Sequence, residues 1–143
     1  MRDVRRSFAV AVAAGAAVLA AAAACKSSTS SNACGSGTPP AVTGVYTLAS
    51  YDIGGTLITA PPASGELRLN ADGTYGVNLT LPPPTGAISD SGTYAIQGAS
   101  CISQSSVLGQ PQFVGSFTLT GSTLTVSGTA GGESVASVWT KTS

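Results

Sequence analysis

Glu66-Leu-Arg-Leu-Asn-Ala-Asp-Gly-Thr-Tyr-Gly-Val-Asn-Leu-Thr-Leu81 is the stretch whose reading decides the fold. Leu67, Leu69, Tyr75, Val77, Leu79 and Leu81 alternate with polar or small residues, the period-two pattern of a half-buried sheet. Between the two arms, Asn70-Ala71-Asp72-Gly73 fits a type I turn closed by a left-handed glycine, with Asn first and Gly where φ must be positive. With Ala71 to Gly73 as the loop, Leu69 faces Tyr75 and Leu67 faces Val77. Turn chemistry and hydrophobic register then agree, which guards against a one-residue slip that would turn every apolar side chain outward.

Working outward, Gly44 to Tyr51 reads as a strand with Tyr46 and Leu48 on one face, followed by a turn at Asp52-Ile-Gly-Gly55. A short strand from Thr56 to Thr59 ends at Pro61-Pro62. The central hairpin stops at Pro82-Pro83-Pro84, which cannot pair within a ladder. Asp90-Ser91-Gly92 is expected to turn into a strand from Thr93 to Gln97. Ser100 to Gln112 holds either a strand around Cys101 to Val107 or a loop. Phe113 to Thr120 and Thr123 to Gly128 form a second hairpin, with Gly121-Ser122 as a two-residue turn. Its register sets Leu119 opposite Leu124 and Phe117 opposite Val126. Gly131-Gly132 turns into a last strand, Ser134 to Lys141, which carries Trp139.

No stretch shows a sustained helical period. Roughly seven to nine short strands, adjacent in sequence and separated by turn signals, indicate an all-β antiparallel meander. Closing the meander into a small up-and-down β-barrel removes the exposed edges that invite aggregation; a two-sheet β-sandwich is the alternative. From Ala41 to the C-terminus the chain holds 29 Val, Ile, Leu, Phe, Tyr or Trp residues, enough for one modest core.

The 143 residues carry a formal charge of zero, but that balance mixes two segments. From Cys25 onward three cations (Lys26, Arg68, Lys141) stand against five carboxylates (Asp52, Glu66, Asp72, Asp90, Glu133), a charge of −2. So few cations leave no electrostatic footprint for nucleic acid.

Residues 1–24 read as an export signal, with a basic start at Met1 to Arg6 and an uncharged Ala- and Val-rich run from Phe8 to Ala24. Ala22-Ala23-Ala24-Cys25 resembles the lipobox of bacterial lipoproteins, which implies lipidation of Cys25 and anchoring of the exported protein to a membrane. The alternative is ordinary cleavage after an Ala-x-Ala site, leaving Cys25 unmodified. Lys26 in place of Asp resembles the sorting pattern of outer-membrane lipoproteins. Arg5-Arg6-Ser7-Phe8 also resembles a twin-arginine signal.

Residues 25–40 form a Ser-, Gly- and Pro-containing spacer, and 41–143 the folded domain. Lipidating Cys25 leaves Cys34 and Cys101 as an even pair in an oxidising compartment, either joined or as two free thiols. The chain has no histidine and no Cys-x-x-Cys spacing, so no metal site is expected.

Gly44-Val-Tyr-Thr-Leu, Gly65-Glu-Leu-Arg-Leu-Asn-Ala-Asp-Gly-Thr-Tyr75, Ser91-Gly-Thr-Tyr94, Gly121-Ser-Thr-Leu-Thr-Val126 and Val138-Trp139 resemble the bacterial lipocalin-like domain family. The likeness runs from about residue 43 to the C-terminus. It implies a small antiparallel barrel of about eight strands, often carried by exported lipoproteins.

Enzymatic activity is not expected. The commonest general base is absent, and no serine sits in a nucleophile elbow. Asp52, Asp72 and Asp90 are read as turn residues, and Glu66 shares a polar strand face with Arg68. No cofactor is implied. A barrel of this size holds one small ligand or is filled by its own side chains. Tyr46, Leu69, Tyr75, Tyr94, Phe117 and Trp139 are the candidate inward residues for a small apolar or amphipathic ligand, and equally the candidate core. The alternative function is a structural or protein-interaction module of the cell envelope, using the uncharged face of Thr118, Thr120, Thr123, Thr125 and Ser127.

Overall fold

The computed structural model describes residues 34–143. The expected export signal, Cys25 and the first part of the expected spacer lie outside the described residues. Nine strands follow in order: β1 (Gly44–Ile53), β2 (Thr56–Thr59), β3 (Ser64–Leu69), β4 (Thr74–Thr80), β5 (Ala87–Gln97), β6 (Cys101–Ser106), β7 (Phe113–Thr120), β8 (Thr123–Ala130) and β9 (Glu133–Lys141). From β3 to β9 each strand pairs antiparallel with the next, and β9 returns to pair with β1. Eight strands thereby close a barrel, and β2 is an additional strand on the far half of β1. The sandwich alternative is excluded, because no sheet edge separates β9 from β1.

Both hairpins take the register their turns dictate. Leu67 pairs with Val77 and Leu69 with Tyr75; Phe117 pairs with Val126 and Leu119 with Leu124. At the first turn Gly73 adopts φ 82°, a conformation that costs any residue with a Cβ. Asp72 fixes this turn from the side: its Oδ1 accepts from the Thr74 amide at 2.9 Å and the Thr74 hydroxyl at 2.6 Å. These bonds hold the Asp72 carboxyl below its ordinary pKa, because they favour the charged form.

On β1, Leu48 pairs with Trp139 but Ser50 pairs with Val138, a bulge that takes up one residue. The consequence is a phase change. Tyr46 and Leu48 point inward before it, Tyr51 and Ile53 after it, and Asp52 is kept out of the interior. On the same edge β1 changes partner, from β3 over Gly44–Thr47 to β2 over Ser50–Ile53.

One expectation is corrected here. Asp90-Ser91-Gly92 is not a turn but the middle of β5, which runs unbroken from Ala87 to Gln97. The strand face puts Asp90 in register with Val77 and Gly92 with Tyr75, both inward positions. The ambiguous stretch after Ser100 contains β6, followed by an exposed loop from Val107 to Gln112.

The barrel has two unlike ends. One carries the turns at Asn70–Gly73, Gly98–Ser100 and Gly121–Ser122, and it is closed. Cys34 is bonded to Cys101, and the Ser100 amide donates to the Cys34 carbonyl at 3.0 Å. From there residues 34–43 cross beneath the barrel to the start of β1. Val42 is buried, and its carbonyl accepts from the Tyr46 hydroxyl at 2.6 Å. Thus part of the expected spacer, from Cys34 on, is fixed to the barrel. Tyr46, Leu69 and Leu124 are almost wholly enclosed above it, with Leu48, Ile102 and Phe117 packed alongside.

Candidate functional site

The other end is hollow. A cavity of about 280 Å³ opens among the β1–β2 turn, the β4–β5 loop, the β6–β7 loop and the Gly131–Gly132 turn. Its inner wall is set by register. Trp139 lies beside Leu48 and Leu124, Leu67 beside Tyr46, Tyr75 beside Leu69, and Val126 beside Phe117. Those four residues are buried and also line the cavity, so they form its floor on top of the closed end. Tyr51, Ile53, Val77, Leu79, Ile88, Phe113 and Val135 make most of the wall, with Gln110, Pro111 and Glu133 at the rim.

Phe113 gains its place from two glycines. Gly115 and Gly128 face each other across β7 and β8, and a Cβ built on either would meet the Phe113 ring tip at 2.8 and 2.9 Å. The Cβ would also run into backbone of the facing strand. The ring therefore lies over bare backbone, an aromatic covering two glycines, and forms one side of the cavity.

Three polar groups of the wall, on Trp139, Tyr75 and Asp90, are held by hydrogen bonds, and the Gln104 side chain also lines it. The Trp139 Nε1–H donates to the Ser137 hydroxyl at 2.8 Å, giving the indole the partner a buried Trp needs. Asp90 is the centre of a larger arrangement. Its Oδ2 accepts from the Tyr75 hydroxyl at 2.6 Å, and its Oδ1 accepts from the Ser91 amide at 2.9 Å and from the Ser106 hydroxyl. The Ser106 oxygen itself accepts from the Leu108 and Gln110 amides at 2.9 and 3.2 Å. Its single hydrogen is therefore left for Asp90, and the same network pins the start of the β6–β7 loop. Burial pushes the Tyr75 hydroxyl well above its ordinary pKa, and the hydrogen bond and charge of Asp90 add to the shift. Burial likewise raises Tyr51. Both phenols stay neutral across the physiological range and can offer or accept a hydrogen bond.

Of the six candidate inward residues, the structure brings Tyr75 and Trp139 to the cavity. Tyr46, Leu69 and Phe117 are core of the closed end, not cavity wall. Tyr94 is half-buried against the core, and its hydroxyl donates to the Asn70 carbonyl at 2.8 Å, securing the first turn. Tyr51, Phe113 and Asp90 were missed. For Tyr51 the bulge reverses the apparent phase of the strand. Asp90 looks like turn chemistry beside Ser91-Gly92, and its one sequence signal is that Ile88, Asp90, Gly92 and Tyr94 share a strand parity. On the outer surface, Thr118, Thr120, Thr123 and Ser127 are exposed and Thr125 half-buried.

No protein-family model matches this chain, and no curated protein does.

Proposed function

We propose that this is a lipid-anchored, non-catalytic protein of the bacterial cell envelope whose lipocalin-like barrel holds a small amphipathic ligand in its open half. The observation that carries the binding reading is the cavity itself, walled by Tyr51, Tyr75, Phe113, Trp139 and aliphatic side chains, with a few fixed polar groups. Concave, mainly apolar sites with a few placed polar atoms are the usual form of a small-molecule site. At about 280 Å³ the volume lies near the lower end of such sites, roughly 300 Å³, so the ligand is small.

The anchoring reading rests on the basic and alanine-rich leader ending at Cys25. It is supported by where the chain enters the barrel: Cys34 is bonded at the closed end, opposite the mouth. A tether arriving there leaves the mouth unobstructed. Two measurements test the two halves of the proposal. Intact mass and detergent partitioning of the exported protein should show an acylated Cys25, and both signals should vanish in Cys25→Ala. The purified barrel should take up an apolar dye saturably; uptake that never saturates would refute ligand binding.

A further inference from the structure

We infer that the ligand is a cation, a small amine with an apolar body, which seats its nitrogen at Asp90 and its body against the aromatic wall. This rests on the binding reading above and adds the chemical class of the ligand.

Three observations carry it. First, the charges of the cavity are of one sign. Asp90 lies in its wall and Glu133 at its rim, and among the described residues no cation lines it. The two described cations are elsewhere. Arg68 lies on the outside of β3, paired with Glu66 at 2.6 Å, and Lys141 lies at the closed end with its nitrogen 5.9 Å from the centre of the Tyr46 ring. A fatty acid or other anion would bring its charge toward Asp90 with nothing to offset it, in a space where water screens poorly.

Second, the hydrogen-bond capacity of Asp90 is not exhausted. A carboxylate offers about four acceptor positions. Tyr75, Ser91 and Ser106 occupy three of them, which leaves room for one further donor. The three donors also hold the carboxylate in place before any ligand arrives. An N⁺–H donor would complete the set with a charge-assisted hydrogen bond. A third carboxylate, Asp52, is kept on the outer face by the β1 bulge and is tied to the Gly55 amide at 2.9 Å, so it does not compete.

Third, the remaining wall is the kind of surface that accepts an organic cation. Tyr51, Tyr75, Phe113 and Trp139 come from four different strands around one cavity, and aromatic faces attract ammonium groups as well as apolar bodies.

The test uses one apolar body with three head groups: 3-phenylpropylamine, 3-phenylpropanol and 3-phenylpropanoate, titrated at pH 7 into the whole exported chain. Trp139 is the chain's one tryptophan and lies in the cavity floor, so its emission reports occupancy directly. The amine should bind roughly tenfold or more tighter than the alcohol, and the propanoate weakest of all. Asp90→Asn should remove the advantage of the amine over the alcohol, while Glu133→Gln, at the rim, should reduce it less. The ranking in the unsubstituted protein stands without either variant, should Asp90→Asn fail to fold. If the alcohol binds but the amine binds no better, or the propanoate binds as well as the amine, the charge inference is overturned while the binding reading survives. If none of the three changes Trp139 emission, both fall together.

Discussion

The closed and open halves of the barrel are built from the same strands and differ in what fills them. At the closed end, Tyr46, Leu69, Phe117 and Leu124 meet beneath the sheet and are sealed by Val42 and the segment bonded through Cys34. At the open end the inward positions are again aromatic and aliphatic, but they stand around a space and do not fill it. Two glycines, a bulge and an inward Asp account for the difference. Gly115 and Gly128 withhold side chains where the closed end has Phe117 and Leu124, and the Phe113 ring lies over them as one side of the cavity. The bulge brings Tyr51 and Ile53 inward on the far half of β1, and Asp90 takes a position that an aliphatic residue would otherwise fill. The closed half is thus filled by its own side chains, and the open half keeps a space among them.

Truncation should expose this asymmetry most strongly. Phe117→Ala should cost about 3 to 5 kcal/mol, because it empties a site with no room to collapse. Val77→Ala, in the cavity wall, should cost clearly less, since Val77 already borders open space. Urea unfolding of the two variants checks the difference; equal losses would mean the two halves are packed alike.

Next in size is the clip. Cys34 and Cys101 are 67 residues apart in sequence, so replacing both with Ser should cost roughly 4 kcal/mol by the loop-entropy argument. The loss should appear in the melting temperature without weakening ligand binding, because the bond lies at the end opposite the mouth. Weakened binding in that variant would show that the two ends are coupled.

Smaller still is the Tyr75–Asp90 bond. Tyr75→Phe should cost about 1.5 to 3 kcal/mol, the usual worth of a hydrogen bond to a charged group. It should also change the alkaline limb of the stability curve. The folded protein raises the Tyr75 pKa above the ordinary tyrosine value of about 10. The resulting stabilisation is complete below pH 10 and is lost as pH rises through the folded value. Burial raises Tyr46, Tyr51 and Tyr94 in the same direction, so stability should fall steeply above pH 10, and less steeply in Tyr75→Phe. Chemical denaturation from pH 8 to 11 measures both slopes.

The closed half was the more legible in sequence, and for a physical reason. Its strands alternate without interruption, and its turns at Gly73 and Gly121 carry residues that admit few conformations. Register followed from two independent signals that agreed. The open half breaks the same rules locally. The bulge near Ala49 shifts the inward parity of β1 by one residue, and no residue type announces it. Asp90-Ser91-Gly92 has the composition of a turn yet lies within a strand, because its carboxylate finds partners in Tyr75 and Ser106, residues 15 and 16 positions away. Contacts of that range cannot be read from local pattern. Tyr46, Leu69 and Phe117 face inward and are buried, but whether an inward residue fills the barrel or lines a space depends on which end of it the residue occupies.

The central claim, that the open half is a binding cavity, meets its most direct test in one titration. 3-Phenylpropanol is neutral and so does not depend on the charge at Asp90. Added to the protein and to Val77→Phe, which places extra volume inside the cavity and leaves the closed end untouched, it should produce a saturable change in Trp139 emission in the first and none in the second. No saturable change in the unsubstituted protein, or the same saturable change in both, would contradict the account.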